Sequence, residues 1–281
     1  MHASSATLSL TLFGCSIRIR CRDTQAATLL ARNYGALQGK RERPALIYTV
    51  GTQRHAGARE FFITREGQQP LMASDPGEFL FLFEKDLTVE LQKLRPALYF
   101  VHAAALEFRS KAFMLVGPSG SGKSTATWAL LHHGCCYLSD ELAPVHLKTW
   151  EVHPYPHALC LKDEPPAAYP LPKTTLYTSC TLHIPVEELP SGVGTHPTPL
   201  MAIFFVRYHP EASAPAVRSI SRAEAAARLF ANALNPLAHR GDGLDGAMEL
   251  ATRVVPFELV TAQLPATCAL VEAALKRLAP S

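Results

Sequence analysis

The stretch GPSGSGKS at residues 117–124 fits the pattern G-x-x-x-x-G-K-[ST] completely. The apolar run KAFMLV at 111–116 precedes it and predicts a buried strand, and TATWALLHH at 125–133, followed by Gly134, predicts a helix. A loop between a strand and a helix places backbone N–H groups and the positive end of the helix dipole around one concavity. The stretch therefore predicts a P-loop that binds the phosphates of a nucleoside triphosphate.

The residue types of this loop suit that role. Its glycines let the backbone turn tightly and approach the phosphates, Lys123 would reach the β- and γ-phosphates, and the Ser124 hydroxyl would ligate Mg²⁺. A glycine-rich turn before an ordinary helix is the alternative, and the complete pattern in this context disfavours it. The predicted nucleotide-binding residues are Gly117, Pro118, Ser119, Gly120, Ser121, Gly122, Lys123, Ser124 and Thr125.

An acidic pair, Asp140-Glu141, follows the last serine of the loop by sixteen residues. We predict a short strand at 135–138 that delivers both carboxylates at its carboxyl end. Of two adjacent carboxylates beside a metal, one can hold Mg²⁺ while the other accepts a hydroxyl proton, which favours phosphate transfer to an alcohol. The later apolar run MAIFFV ends in Arg207-Tyr208 instead of an acid. A solvated acidic turn is the alternative interpretation of the pair.

Composition narrows the classes of protein and partner. The chain has 281 residues, 48% hydrophobic and 18% charged, which is typical of a globular protein and excludes a disordered one. A net charge of +3 with no basic run argues against a nucleic-acid partner. The seven cysteines show no C-x-x-C spacing, so we expect free thiols in a reducing compartment. The sequence contains neither a signal peptide nor an apolar run that could span a membrane, so we expect a cytoplasmic protein with no membrane partner.

The first third of the chain predicts a small α+β domain over residues 1–95. Alternating apolar residues and capping signals indicate a hairpin at 6–21, a helix at 24–33 after Asp23, strands at 45–50 and 60–64, and a helix from Asp75 to Pro96. The last of these helices links the domain to the rest of the chain.

Residues 96–281 predict a second domain of α/β class, a mixed sheet with flanking helices. Apolar runs indicate strands at 97–108 and 111–116, joined as a hairpin, and further strands at 200–206 and 257–260. The helices are expected after the capping box SRAE at 221–224, at 244–253 and at 267–278. The segment 154–199 holds ten of the 22 prolines and predicts an ordered loop region or flap.

The run HAAALEFRSKAFMLVGPSGSGKSTATWALLHHGCCYLSDELAPV at 102–145 resembles the nucleotide-binding core of the HPr serine kinase/phosphorylase family. It looks more like the HPr-kinase-related proteins found beside peptide-modifying enzymes, some of which phosphorylate lasso-peptide precursors. The stretch VHPYPHALCLK at 152–162 is similar to a short proline-containing stretch of those relatives. The family has a histidine one strand before the P-loop, and His102 falls on it. Asp140 falls on the first acid of the family's Asp-Asp pair, and Glu141 falls on the second, which is the proton acceptor.

Two departures from the family pattern matter. The second acid is Glu instead of Asp, which moves the base outward by one methylene. The E-I-R-G-L-G stretch of true HPr kinase/phosphorylase is missing, which leaves the reverse reaction and HPr as the acceptor unsupported. No motif marks the family's later catalytic arginine, and Arg207 is the best-placed residue for it.

The resemblance implies an HPr-kinase-like fold and a Mg-ATP-dependent kinase that phosphorylates a Ser/Thr hydroxyl of a peptide or small protein. Its catalytic residues would be His102, Lys123, Asp140 and Glu141, and Ser124 and Asp140 would hold Mg²⁺. A non-catalytic nucleotide-binding sensor or assembly protein and a small-molecule kinase are the alternatives. The identity of the acceptor, the oligomeric state (a homo-oligomer included) and the role of the N-terminal domain stay open.

Overall fold

The structure is a computed structural model that describes residues 6–55, 57–209 and 211–279. It combines helices with several sheets, so the α/β class predicted from the sequence is confirmed. The chain divides into two compact units. The first comprises the described chain up to Arg95 with Cys160–Glu164 and Leu171–Glu188, and the second comprises Pro96–Leu159, Pro165–Pro170 and the described chain from Leu189 onward.

The first unit is built on a five-stranded sheet of order β1-β2-β3-β4-β5. Its elements are β1 (Ala6–Leu12), β2 (Cys15–Cys21), α1 (Thr24–Tyr34), β3 (Leu46–His55), β4 (Ala58–Arg65), β5 (Leu71–Ala73) and α2 (Pro76–Leu94). Strands β1 and β2 form the predicted antiparallel hairpin, in which Leu10 lies opposite Ile17 and both side chains are buried. Strands β2 and β3 run parallel because helix α1 carries the chain from one to the other.

Both helices of the first unit begin at the aspartates that the sequence predicted as caps. An Asp23 carboxylate oxygen accepts a hydrogen bond from the backbone N–H of Ala26 at 3.0 Å, and Asp75 accepts one from Gly77 at 2.7 Å. Helix α2 turns an apolar stripe inward, as its helical spacing predicts. The buried members of this stripe are Phe79, Leu80, Phe83, Leu87 and Leu91.

The chain beyond Pro96 supplies the remaining elements. In order they are β6 (Leu98–Val101), β7 (Ala103–Phe108), β8 (Lys111–Val116), α3 (Lys123–His132), β9 (Cys136–Ser139), β10 (Ala143–His146), β11 (Glu151–Val152), β12 (Leu159–Leu161), β13 (Leu176–Tyr177), β14 (Leu182–Ile184), β15 (Thr198–Tyr208), β16 (Ala216–Ser219), α4 (Arg222–Phe230), α5 (Leu244–Arg253), β17 (Val255–Thr261) and α6 (Leu264–Leu278).

A nine-stranded sheet runs through the second unit in the order β6-β10-β11-β15-β8-β7-β9, with β17 beside β15 and β16 beside β17. Strands β8, β15 and β17 are parallel, and β7 is antiparallel to both β8 and β9. The carboxyl ends of β8, β9, β15 and β17 and the amino end of β7 therefore meet at one edge of the sheet, called here the P-loop edge.

The strand predicted over 97–108 is broken in the structure, and the break lies at His102. Strand β6 pairs with β10, whereas β7 pairs with β8 and β9. A distant segment holds the chain at this point, because the backbone N–H of His102 donates to Asn232 O at 2.8 Å and that of Leu234 donates to Phe100 O at 2.8 Å. His102 consequently lies at the P-loop edge and not within a strand.

Helices cover the sheet of the second unit. Helices α4 and α5 bury Leu229 and Leu250 against strand residues such as Phe205, while α3 and α6 pack against each other. Helix α4 begins at Ser221, the N-cap of the predicted capping box, whose Oγ accepts from the Glu224 N–H at 3.1 Å. The Glu224 carboxylate, which would complete the box, accepts from Arg228 at 2.6 Å instead. Among the described residues, every helix falls short of the length and apolar character needed to cross a membrane.

The proline-rich segment 154–199 is divided between the two units. Its parts Cys160–Glu164 and Leu171–Glu188 belong to the first unit, and β12, β14 and β13 form a small sheet in that order. A hydrogen bond of 2.7 Å between His183 Nδ1 and Asn33 Oδ1 fixes this part of the segment to the first unit. Such long-range contacts leave no local pattern in the sequence.

Candidate active site

The P-loop begins at the carboxyl end of β8 and continues into α3. Gly120 and Gly122 have φ angles of 82° and 88°, in the left-handed region that side chains disfavour. At Gly117 a Cβ atom would lie 2.8 Å from Val206 O, so only glycine lets the loop pass the end of β15 at this distance. The backbone geometry of the loop therefore requires glycine at positions 117, 120 and 122. Ser124 and Thr125 lie half-buried in the first turn of α3, and Pro118, Ser119 and Gly120 are exposed.

Lys123 is 6% exposed, and its ammonium group lies inside the loop. Its Nζ donates to Gly117 O at 2.7 Å and to Pro118 O at 3.2 Å. The Ser121 hydroxyl is buried and forms no hydrogen bond with any described residue. A cationic side chain, an unused hydroxyl and the N-terminus of α3 together suit a phosphate group. The residues present therefore fit the polyphosphate of a nucleotide.

The acidic pair lies where the sequence predicted it, directly after β9. The Ser139 hydroxyl donates to Leu142 O and accepts from the Leu142 N–H, which closes a tight turn around the two acids. Asp140 is fully buried, whereas the Glu141 side chain is 46% exposed. The two neighbouring carboxylates thus occupy different environments, one inside the protein and one open to an incoming group.

His102 and Glu141 are brought together across 39 residues of sequence. His102 Nε2 lies 3.0 Å from Glu141 Oε2, and the histidine side chain is 29% exposed. Burial raises the pKa of Glu141, but the hydrogen bond from His102 and the positive charges of His102 and Lys123 outweigh it and lower that pKa. Glu141 is therefore a carboxylate at neutral pH.

A second histidine, His157, lies near Glu141. His157 is 1% exposed, and burial lowers its pKa to about 4, although the charge of Glu141 opposes this. His157 is therefore neutral at physiological pH and belongs inside the protein. Apart from the proline-containing stretch around His157, nothing in the sequence indicated that this residue interacts electrostatically with Glu141.

Arg207 lies at the P-loop edge on the other side of β8 from His102. It is flanked by Val206, whose carbonyl faces Gly117, and by Tyr208, which lies beside Gly122. Its side chain is 63% exposed, and its Nη1 lies 3.6 Å from Glu258 Oε1 on the neighbouring strand β17. No local pattern in the sequence joins Glu258 to Arg207.

A magnesium ion at this edge would need ligands from the bound phosphates as well as from the protein. The described residues contain no group of three or more His, Cys, Asp or Glu side chains that could hold a metal ion alone. Mg²⁺ typically takes one or two protein ligands together with phosphate oxygens and water. The Ser124 hydroxyl and the Asp140 carboxylate are oxygen donors of the required kind.

No family model matches the chain, and no curated protein matches it by sequence. Among solved structures it is similar to the Hpr(Ser) kinase/phosphatase from Coxiella burnetii, with 9% sequence identity and a TM-score of 0.32 over 63% of this chain and 97% of that one.

Proposed function

We propose that the chain is a kinase that transfers the terminal phosphate of Mg·ATP to a serine or threonine hydroxyl of a peptide or small protein. The observation that carries this proposal is the contrast within the acidic pair beside a complete P-loop. Asp140 is buried, while Glu141 is open to solvent and hydrogen-bonded to His102. A base exposed next to a phosphate loop suits an acceptor that approaches from outside.

The proposed roles follow from this geometry. Lys123 would leave its loop carbonyls and stabilise the negative charge on the transferring phosphoryl group. The acceptor hydroxyl would attack the γ-phosphorus while the bond to the β–γ bridging oxygen breaks, and its proton would pass to Glu141. His102 would orient the Glu141 carboxylate through the 3.0 Å contact. Mg²⁺, held with help from Ser124 and Asp140, would supply neutralisation of the phosphate charge.

The resemblance in 102–145 to kinases of peptides supports a peptide acceptor over a metabolite. The openness of Glu141 also supports it, because an acceptor within a chain needs room on both sides of its hydroxyl. The same residues are compatible with a nucleotide sensor that transfers nothing, and the assay below distinguishes the two.

The test is to incubate the purified chain with Mg·ATP and either the precursor peptide or small protein encoded beside it or a peptide library with one fixed serine. We expect mass spectrometry to find one phosphate on the serine. Lys123→Ala should lower the rate by about 10²-fold or more, since it removes the main cation of the loop. Lys111→Ala is the matched control, because Lys111 is exposed at the start of β8.

Other outcomes identify the alternatives. ATP loss with no labelled acceptor would indicate a sensor or assembly protein. A phosphorylated metabolite without a phosphorylated peptide would indicate a small-molecule kinase. Full activity of Lys123→Ala would show that the P-loop is not the reaction site.

A further inference from the structure

Three arginines converge on one buried carboxylate in the second unit. The Glu258 side chain on β17 is 6% exposed and is contacted by Arg218 Nε at 2.6 Å, Arg228 Nη2 at 2.9 Å and Arg207 Nη1 at 3.6 Å. The three come from different elements, β16, α4 and the end of β15. Arg228 also contacts Glu224 at 2.6 Å and lies over the Phe205 ring at 5.5 Å. This group of residues is called the arginine cluster below.

The cluster has more positive than negative charge. Three guanidiniums share two carboxylates, Glu258 and Glu224. The hydrogen bond from Arg218 lowers the pKa of Glu258 and burial opposes it, but the hydrogen bond from Arg228 and the charges of these two arginines bring the pKa to about 2. This carboxylate therefore stays ionised. Even so, one positive charge is left over.

The outward donors of the cluster are accessible. The side chains of Arg207 and Arg218 are 63% and 59% exposed, and each guanidinium carries five N–H donors. Each arginine uses one nitrogen in its described contact with Glu258, so most of its donors face water. The buried Glu258 carboxylate contacts both exposed guanidiniums and holds them in position.

The position of the cluster relates it to the proposed reaction. His102 and Glu141 lie at β7 and β9, and the P-loop follows β8; the next strands on the other side are β15 and β17. With about 4.8 Å between neighbouring strands, β15 is about 10 Å and β17 about 14 Å from β7. An extended peptide advances about 3.3 Å per residue, so these distances correspond to about three or four residues.

We propose that the arginine cluster binds carboxylate side chains of the acceptor, placed about three or four positions from the phosphorylated hydroxyl. This inference rests on the proposed kinase function and adds the class of substrate, an acidic segment of a peptide or protein. Arg207 and Arg218 donate the hydrogen bonds, and Glu258 acts as a positioning residue that never touches the acceptor.

The experiment uses fluorescent peptides with one central serine and either glutamate, alanine or lysine at positions three and four away, on both sides in turn. Binding is measured by anisotropy and transfer by mass spectrometry. We expect the glutamate peptides of one side to bind about three- to fivefold more tightly than the alanine peptides, the size of exposed ion pairs. The preference should shrink at high salt because exposed charges are screened.

Variants separate the cluster from general charge effects. Arg218→Gln should remove most of the preference for glutamate without changing transfer to the alanine peptide, and Arg218→Lys should retain part of it. Arg240→Gln is the matched control, since Arg240 is exposed near β6, at the far end of the sheet. Glu258→Gln should weaken the preference like Arg218→Gln, with folding checked by circular dichroism.

The outcomes distinguish this inference from the function on which it rests. Transfer to all peptides with no preference for glutamate would overturn the inference and leave the kinase function intact. An equal loss in Arg240→Gln would overturn it as well. Tight binding of glutamate peptides with no transfer to any peptide or protein would overturn the kinase function.

Discussion

Two polar clusters, one in each unit, contain a histidine in contact with other reactive side chains, yet they differ in what surrounds them. In the second unit, His102 and Glu141 are 29% and 46% exposed beside the P-loop. In the first unit, His183 is 6% exposed and contacts Asn33, Thr181 and Cys160. The pair of His102 and Glu141 is accessible to solvent and is called the open cluster. The group of His183, Asn33, Thr181 and Cys160 surrounds a buried histidine and is called the closed cluster.

The hydrogen bonds of His183 explain why the closed cluster is not a nucleophilic site. The Asn33 Oδ1 atom is only an acceptor, so His183 Nδ1, at 2.7 Å, must donate to it. The other ring nitrogen, Nε2, lies 2.8 Å from the Thr181 hydroxyl. Cys160 Sγ lies 3.4 Å from Nδ1, which already carries a proton and cannot take another. A set of reactive residue types in contact is therefore not evidence of chemistry unless one member is free to exchange a proton with an incoming group.

The largest effect on the open cluster should come from the acidic pair. Glu141→Gln keeps the shape of the side chain but cannot accept a proton, so we expect transfer to fall by about 10²–10⁴ with nucleotide binding retained. Asp140→Asn should instead raise the Mg²⁺ concentration needed for half-maximal rate, and high Mg²⁺ should partly restore activity. Rates at varied Mg²⁺ and nucleotide affinity measure the two effects.

Glu249→Gln on the exposed face of α5 is the control for both variants, and a thermal melt confirms that Asp140→Asn is folded. If both substitutions gave the same loss and high Mg²⁺ rescued both, the different environments of the two acids would have no functional meaning.

The P-loop and the caps were predictable because they depend on neighbouring residues. GPSGSGKS, the Asp23, Asp75 and Ser221 caps, and the helices they begin all follow from local spacing. The position of Asp140-Glu141 followed from the strand before it. These features needed no knowledge of distant contacts.

The rest of the site depends on contacts that no local pattern encodes. The break at His102 is held by Asn232 and Leu234, which lie about 130 residues further on. His157 faces Glu141 because the chain returns after β11, and Glu258 meets arginines from three elements. The segment Leu171–Glu188 joins the first unit by the same kind of contact. Sequence spacing predicted where the P-loop, the acidic pair and the caps lie along the chain, but it did not predict which distant residues contact them.

A smaller effect is expected at His102, and it should appear in the pH profile. His102→Gln keeps a hydrogen-bond donor but removes the electrostatic effect of the imidazole that lowers the pKa of Glu141, so that pKa should rise in the variant. A carboxylate with a higher pKa takes up its proton at a higher pH. The acid limb of kcat/KM should therefore move to higher pH, with only a modest loss of rate at neutral pH.

The control for this profile is His196→Gln, because His196 is exposed. An unchanged acid limb in His102→Gln, or an equal shift in His196→Gln, would mean that His102 does not set the protonation of Glu141.

The smallest effect on turnover should come from the closed cluster, where a substitution should change stability alone. His183→Leu removes the donor to Asn33 Oδ1 and leaves that buried oxygen without its 2.7 Å partner, which should cost about 1–3 kcal/mol of unfolding free energy. Asn33→Leu should cost a similar amount, and the double variant should cost less than the two together, because the buried pair is lost only once. Urea denaturation gives the free energies, and phosphate transfer per folded molecule should stay at the wild-type level in all three variants. A loss of transfer without a loss of stability would place the first unit's cluster in the reaction and remove the distinction between the open and the closed histidine.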